Sequence, residues 1–223
     1  MKIVTTILLA ILSLTAVHAQ VKNDLKRLKL RGDVKTVTEY EYAVPADSKE
    51  AIKGDLRSKS ISKFSNGYRT EFATYSPKGD LLSRSVYNYN DSGRLVDVKR
   101  YRGDGGLNVT TVYTYDKAGN ETEESNYDPS GMLFMTGKST YDLNGNRIVY
   151  NRYNQFGHLF LRSNIKYDKK GNEVQEREFD SHESLQFVTT YGYDGYDKQG
   201  NWLQRVTLKN DVPRTIIERE LTY

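Results

Sequence analysis

The sequence has no cysteine in its 223 residues, which excludes disulfides, thiolate-bound metals and a lipid-modified N-terminal cysteine. Histidine is nearly absent too: only His158 and His182 remain once residues 1–19 are set aside, and no nucleophile–His–carboxylate group can be proposed around either. Apolar stripes with helical spacing are also scarce, and this argues against a helical core. No catalytic residue and no cofactor or metal site is therefore predicted.

Residues 1–19 have the features of a secretory signal peptide. Lys2 is followed by a short apolar run and then by Val17, His18 and Ala19, a small-x-small pattern before a cleavage point. The run is too short for a transmembrane anchor and lacks a basic stop-transfer flank. We expect cleavage after Ala19, a mature chain that begins at Gln20, and a protein that is exported to the periplasm, the cell surface or the medium without a membrane span.

Tyrosine and charged residues are abundant. The chain contains 18 Tyr and 7 Phe, and 28% of its residues are charged, a composition that suits half-exposed strands better than a thick core. The 33 basic and 29 acidic residues are spread along the chain without forming a patch. We therefore expect no nucleic-acid partner.

One short phrase, Tyr-x-x-x-Gly, recurs from Tyr75 to Tyr196. Its aromatic residue falls at 75, 89, 101, 115, 127, 141, 153, 167, 179 and 193, with gaps that alternate between 14 and 12 residues. The true period is thus 26 residues, which marks a repeat architecture. The spacing extends back to Gly54, and three extra residues interrupt it at 194–196.

The fuller phrase Tyr-Asp-x-x-Gly-Asn predicts a β-hairpin turn. The Asp carboxylate can accept hydrogen bonds from backbone N–H groups two residues on, and the Gly supplies the positive φ of a type I turn with a G1 bulge. Turns every 12 to 14 residues, with no intervening helix, predict antiparallel neighbours in a meander.

Alternation within the longer strands predicts an inward face that is apolar at both ends and narrow in the middle. The repeat positions assigned a structural role are Tyr89, Tyr115, Tyr141 and Tyr167, Gly93, Gly119, Gly145 and Gly171, and Leu81, Leu107, Leu133, Leu159 and Leu185. The middle of the face carries small residues such as Ser85, Gly137 and Ser163.

The predicted fold is all-β, an antiparallel hairpin meander in one large twisted or curled sheet of about 14 strands. A flat sheet of that size would be roughly 65 Å wide. We divide the chain into the signal peptide (1–19), a leader, first strand and loop (20–53), and the 26-residue hairpin repeats (54–223). Residues 20–31 are basic and could form one or two helical turns or simply be an exported leader.

The repeated Tyr-Asp-x-x-Gly-Asn phrase resembles the YD (RHS-type) repeat of secreted bacterial proteins. The segment Leu30–Tyr40 is similar to small exported YD-repeat-like proteins of Bacteroidetes. Large RHS proteins wrap such strands into a shell around a toxin, so the resemblance implies β-sheet scaffolding and carbohydrate contact. This chain is short and carries no appended toxin or protease segment, and we do not expect it to encapsulate one.

The tyrosines are the strongest binding candidates, because a ring with one wet end suits sugar or protein contact. The competing interpretation is that they are cross-strand pairs that hold the sheet together. The candidate binding residues are Tyr87, Tyr113, Tyr191, Phe134 and Phe160.

Other motifs favour structural roles. Asp116, Asp142, Asp168 and Asp197 each offer one carboxylate per turn, too few for calcium. The Arg-Gly-Asp tripeptides at 31–33 and 102–104 match an adhesion motif, although Gly-Asp is ordinary turn punctuation in this chain. We predict a non-enzymatic binding or structural module at the cell envelope, with an unknown protein or glycan as partner. The alternatives are a surface adhesin and a hydrolase with a carboxylate pair.

Overall fold

The computed structural model describes residues 23–223; the predicted signal peptide and Gln20 lie outside this range. One helical turn precedes fourteen strands. The elements are α1 (Asp24–Arg27), β1 (Thr36–Ala43), β2 (Leu56–Ser65), β3 (Tyr68–Tyr75), β4 (Leu81–Tyr89), β5 (Leu95–Arg102), β6 (Leu107–Tyr115), β7 (Glu121–Tyr127), β8 (Leu133–Tyr141), β9 (Arg147–Asn154), β10 (Leu159–Tyr167), β11 (Glu173–Phe179), β12 (Leu185–Tyr196), β13 (Trp202–Lys209) and β14 (Val212–Thr222).

The strands form an antiparallel meander that closes into a barrel. The all-β meander and its strand number confirm the sequence-based prediction, but the expectation of an open, twisted or curled sheet was wrong. β1 pairs with β14 from Thr36↔Thr222 to Ala43↔Thr215, so the sheet has no free edge. Closure satisfies the backbone groups that two edge strands of a curled sheet would leave unpaired. Within the described residues, no helix is long and apolar enough to cross a membrane.

The turns have the predicted chemistry. In the β6–β7 turn the Asp116 carboxylate accepts hydrogen bonds from the Asn120 backbone N–H at 2.9 Å and from the Asn120 side-chain amide at 3.0 Å. Gly119 adopts φ +80°, which a residue with a Cβ rarely adopts. The strand register shifts between Thr114 and Tyr115, as the predicted bulge requires.

The barrel has an open lumen. Within residues 23–223, no Cα atom of one strand lies within 8 Å of a Cα atom on a strand that is not its neighbour. The inward face is narrow in the middle, where Ser85, Gly137 and Ser163 are buried under neighbouring side chains. A Cβ atom at Gly137 would lie 2.6 Å from Cε2 of Tyr150, so only glycine fits beneath that ring.

The leucine positions do not form a sealed core. Leu81 and Leu185 are 38% and 45% exposed, and Leu107, Leu133 and Leu159 are half-buried. These residues begin the even-numbered strands at one end of the barrel. Each pairs with the aromatic residue that ends the preceding strand, as in Tyr153↔Leu159 and Phe179↔Leu185, and these aromatic residues lie on the outer face beside Lys138 and Arg177. The leucines therefore do not form the predicted inward ladder, because the register shift after each one breaks the alternation on which the prediction was based.

The main apolar cluster lies at the other end of the barrel. It is formed by Leu25, Leu30, Val34, Val37 and Phe64, which join the N-terminal segment to β1 and β2. Residues 23–35, here called the leader, cross this end, which we call the leader mouth. The turns that follow the even-numbered strands lie around the same mouth.

Candidate functional site: the leader mouth

Five equivalent tyrosine hydrogen bonds are arranged around the leader mouth. Each of five repeat tyrosines donates its hydroxyl to the backbone carbonyl of the residue 20 positions earlier, at 2.7 to 3.0 Å. The pairs are Tyr89 with Arg69, Tyr115 with Leu95, Tyr141 with Glu121, Tyr167 with Arg147, and Tyr193 with Glu173. These hydroxyls therefore hold the wall together and are already occupied.

The carbonyls at four of these positions belong to a ring of residues that we call the mouth ring. The mouth ring consists of the first residues of the odd-numbered strands from β5 to β13, namely Leu95, Glu121, Arg147, Glu173 and Trp202. Each pairs with the last or near-last residue of the preceding strand, as in Tyr115↔Glu121 and Tyr167↔Glu173. The repeat thus places one variable side chain at the same height every second strand.

The leader is fastened across this ring. At its start, Asp24 accepts hydrogen bonds from the Arg69 backbone N–H at 2.6 Å and from the Tyr89 hydroxyl, which shares its single proton between Asp24 and the Arg69 carbonyl. At its end, the Arg31 backbone N–H donates to Oδ1 of Asn201 at 2.8 Å, and the amide of Asn201 donates to the Arg31 carbonyl at 2.9 Å. The leader is therefore attached to the wall at β3 and β4 and again beside the start of β13.

Arg27 points from the leader into a socket in the wall. Its guanidinium forms ion pairs with Glu121 of the mouth ring and, at 2.9 Å, with Asp24 on its own helical turn. Burial opposes the charged guanidinium, but Glu121 and Asp24 outweigh it and raise the pKa of Arg27. The rings of Tyr113 and Tyr115 lie beside this pair.

A cavity of about 580 Å³ lies between the leader and the barrel wall. Seven of its lining side chains are basic and three are acidic. Arg27 and Arg219 are paired with carboxylates, at Glu121 and Glu39. Among the described residues, no carboxylate oxygen lies within 4.0 Å of the other three lining arginines, Arg94, Arg147 and Arg205.

Two of the arginines surround Trp202. The Arg219 guanidinium stacks 3.3 Å from the centre of the indole ring and is held by Glu39 at 2.6 Å. The Arg205 guanidinium lies 5.5 Å from the same ring and 5.3 Å from the ring of Tyr191. Burial lowers the pKa of Arg219, and the positive charge of Arg205 acts in the same direction. An anionic group at this point would relieve the repulsion.

Glu173 is the acidic group nearest these arginines along the mouth ring. Burial raises the pKa of Glu173 to about 6, and the neighbouring Glu176 adds to the shift, whereas Arg147 and Arg205 oppose it. Tyr191 donates a hydrogen bond to the Glu173 carboxylate. Within the described residues, Glu173 has no basic nitrogen within 4.0 Å.

The five candidate binding residues from the sequence fall into two groups. Tyr87, Tyr113 and Tyr191 face the lumen near the leader mouth, where Tyr87 accepts a hydrogen bond from Arg69 at 3.2 Å. Phe134 and Phe160 point away from the lumen on β8 and β10 and are 38% and 43% exposed. The structure thus brings the three tyrosines to the leader mouth and separates the two phenylalanines from them.

The charged mouth-ring residues were not predicted from the sequence. Glu121, Arg147 and Glu173 are 26 residues apart, at a fixed distance after the Gly of each phrase. That spacing could have identified them. The odd-numbered strands, however, carry many charged residues, so the charge of one position does not distinguish it. Only the bulge turns these particular side chains toward the lumen.

The remaining motifs take local roles. Hydrogen bonds from Asn146 hold the pKa of Asp142 below its usual value, as a turn-forming carboxylate requires. In residues 23–223, no group of three or more acidic, histidine or cysteine side chains is placed to hold a metal ion. The first Arg-Gly-Asp tripeptide belongs to the leader attachment at Asn201, and in the second Arg102 and Asp104 pair with each other at 3.5 Å.

No family model matches the chain, and no curated protein matches it. Among solved structures, it is similar to a porin-like protein from Bacteroides uniformis (10% identity, TM-score 0.49, 86% of this chain and 99% of that chain). It is also similar to a putative outer membrane lipoprotein-sorting protein domain from Vibrio parahaemolyticus (10% identity, TM-score 0.39, 89% and 90%).

A third similarity is to TcdB2-TccC3, with 16% identity and a TM-score of 0.30. It covers 82% of this chain but only 12% of the other. At these TM-scores and identities, none of the three similarities supports an inference about function.

Proposed function

We propose that this protein is an exported, non-enzymatic binding module of the cell envelope that receives a small polar ligand in the cavity at its leader mouth. The observation that carries the proposal is the imbalance of the cavity lining: Arg147 and Arg205 are held near aromatic rings, with no carboxylate within 4.0 Å among the described residues. Arginines without an ion pair beside aromatic rings suit a ligand that has both charge and a flat or apolar part.

The size of the cavity fits this proposal. A volume of about 580 Å³ lies within the range of small-molecule sites, roughly 300–1,000 Å³. A glycan and a segment of a partner protein are the ligand classes that the sequence suggests. Because the repeat tyrosine hydroxyls are spent on wall carbonyls, charged side chains and ring faces are the groups that remain for recognition.

The proposal is tested by thermal shift measurements with a panel of saccharides, amino acids, nucleotides and short peptides, together with a pull-down from envelope extract. We expect at least one compound to raise the unfolding temperature of the wild type and to lose this effect in Arg205→Gln. Arg177→Gln is the matched control, because this arginine points outward on β11 beside Phe179. A ligand that binds both variants equally would contradict the proposed site.

One observation favours a hydrolase as a second candidate. Glu173 has a raised pKa of about 6 and a second glutamate, Glu176, close by. A carboxyl group with a raised pKa beside another carboxylate is the arrangement of a general acid. Turnover of chromogenic glycosides by the wild type that Glu173→Gln abolishes would replace the binding module with this alternative.

A further inference from the structure

We infer that Glu173, Arg147 and Arg205 form a second socket at the leader mouth, which takes a ligand of the basic amino acid type, with a guanidinium or ammonium group on its side chain and a carboxylate at its other end. This inference rests on the proposed function, because it names the ligand class of the same cavity. The chain's own Arg27, in the first socket, is the template.

The repeat copies the first socket 52 residues further along the chain. Glu173 stands where Glu121 stands, and Glu176 where Glu124 stands. The supporting tyrosine recurs as well: Tyr193 donates to the Glu173 carbonyl at 2.7 Å, as Tyr141 donates to the Glu121 carbonyl at 2.9 Å. The two glutamates are therefore held in the wall in the same way.

The two sockets differ in what they contain. Glu121 forms an ion pair with Arg27, whereas no basic nitrogen of the described residues lies within 4.0 Å of Glu173. A half-buried carboxylate without a close cation is costly, and a guanidinium or ammonium group of a ligand would supply the missing partner.

The surroundings of the second socket also require a negative group. Where Leu95 precedes Glu121 in the mouth ring, Arg147 precedes Glu173, and Arg205 lies on the other side. A purely cationic ligand would be repelled by both arginines. In the first socket the leader likewise supplies both charges. The Asp24 carboxylate lies 2.9 Å from the Arg27 guanidinium and accepts a hydrogen bond from Tyr89.

A ligand that carries both charges matches this arrangement. Its cation would pair with Glu173, and its carboxylate would accept hydrogen bonds from Arg205 or Arg147. Carboxylate binding by guanidinium groups is strong and directional, so the two charges would also fix the orientation of the ligand.

Isothermal titration calorimetry with three probes tests the inference. L-arginine has both groups and agmatine lacks the carboxylate. L-citrulline keeps the carboxylate and the α-ammonium but has a neutral ureido group in place of the side-chain guanidinium. We expect L-arginine to bind the wild type most tightly, and Glu173→Gln to weaken it at least about tenfold, the loss of roughly one charged hydrogen bond. Glu173→Gln should change L-citrulline binding far less than L-arginine binding. Arg205→Gln should weaken L-arginine binding but strengthen agmatine binding, because it removes a positive charge that repels agmatine.

Glu123→Gln is the matched control. Glu123 also lies near the start of an odd-numbered strand, β7, but its side chain points outward and pairs with Lys138 at 3.5 Å. This variant should bind L-arginine like the wild type. Equal L-arginine binding by wild type and Glu173→Gln, or no L-arginine binding by the wild type, would overturn the inference. If another compound of the panel still binds and is lost in Arg205→Gln, only the ligand class is wrong; if nothing binds, the proposed function fails as well.

Discussion

At the scale of single residues, the barrel depends on positions where only one residue type fits. Gly137 is such a position, because the Tyr150 ring packs directly on the backbone of β8 and its hydroxyl donates to Glu124. Gly192 on β12 offers the contrast, since a Cβ there would meet no described atom within 4 Å.

We expect Gly137→Ala to lower the free energy of unfolding by about 1–3 kcal/mol, because Tyr150 must move and its bond to Glu124 breaks. Gly192→Ala should be neutral or stabilising by up to about 1 kcal/mol, since alanine restricts the unfolded chain. Urea unfolding monitored by circular dichroism measures both. Equal effects at the two glycines would mean that the Tyr150 packing contributes nothing.

The tyrosine hydroxyls give a second prediction. Tyr141→Phe removes the hydrogen bond to the Glu121 carbonyl and should cost about 0.5–1.5 kcal/mol. Tyr127 belongs to the other class of repeat tyrosine, which ends the odd-numbered strands. It is not one of the five tyrosines whose hydroxyls bind wall carbonyls. Tyr127→Phe should therefore change the unfolding free energy by less than about 0.5 kcal/mol. A cost at Tyr127 as large as that at Tyr141 would contradict the structural role of the five hydroxyls.

The raised pKa of Glu173 predicts a pH effect. Its value moves from about 4.5 to about 6 on folding, so the folded protein binds the proton more tightly. This contribution to stability is complete below pH 4.5 and is lost as the pH rises through 6. Because the side chain is only partly buried, we expect Glu173→Gln to be more stable than the wild type by about 1 kcal/mol at pH 7.

At pH 4 the wild type and Glu173→Gln should unfold at nearly equal denaturant concentrations, because Glu173 is then mostly protonated in both the folded and the unfolded state. Denaturant unfolding at the two pH values provides the measurement. A wild type that gains stability relative to the variant between pH 4 and pH 7 would show that Arg147 and Arg205 already stabilise the charged carboxylate.

At the scale of elements, the leader is held by charge as much as by apolar contact. Leu25, Leu30 and Val34 anchor it to the wall near β1 and β2, and the Arg27–Glu121 pair anchors it in the mouth ring. A double-mutant cycle with Arg27→Met and Glu121→Gln should give a coupling energy of about 1 kcal/mol, larger at low than at high salt. Coupling near zero would mean that the apolar anchor alone holds the leader.

The sequence predicted most of these elements but not their closure. The 26-residue spacing located every hairpin from β3 to β13, and the Asp-x-x-Gly turns of Asp116 and Gly119 formed as expected. The helical turn at Asp24–Arg27 agrees with one of the two expectations for the leader. Each of these features depends on a few neighbouring residues, which is why the sequence alone suffices.

Closure and the site depend on residues that are far apart in the chain. Pairing of Thr36 with Thr222 and insertion of Arg27 beside Glu121 have no local signature. The alternation assigned the leucine positions to the inward face, because the register shift that turns them outward leaves no mark in the apolar pattern. The same holds for Glu173, whose position in the cavity emerges only when the bulge turns it inward.

At the scale of the whole molecule, the β1–β14 seam makes the wall continuous. A chain that ends at Asn210 lacks β14 and leaves the edges of β1 and β13 unpaired. We expect this truncated protein to self-associate in size-exclusion chromatography, because exposed strand edges pair with other chains. Tyr223→Phe, which only removes hydroxyl contacts to Asp197 and Asn201, should remain in the elution position of the wild type. A monomeric truncated protein would show that the seam is dispensable.

The antiparallel seam also restricts how such a gene can change in length. Duplication of one 26-residue unit adds an ascending and a descending strand, so the first and last strands still meet antiparallel and the ring can close again. Gain of a single strand would make the first and last strands parallel, and they could not then form the antiparallel hydrogen bonds of the seam. Recombination between units would therefore produce a series of circumferences in steps of one hairpin, about 10 Å each. Each added unit would also contribute one more mouth-ring residue, so a wider ring would carry a new recognition position.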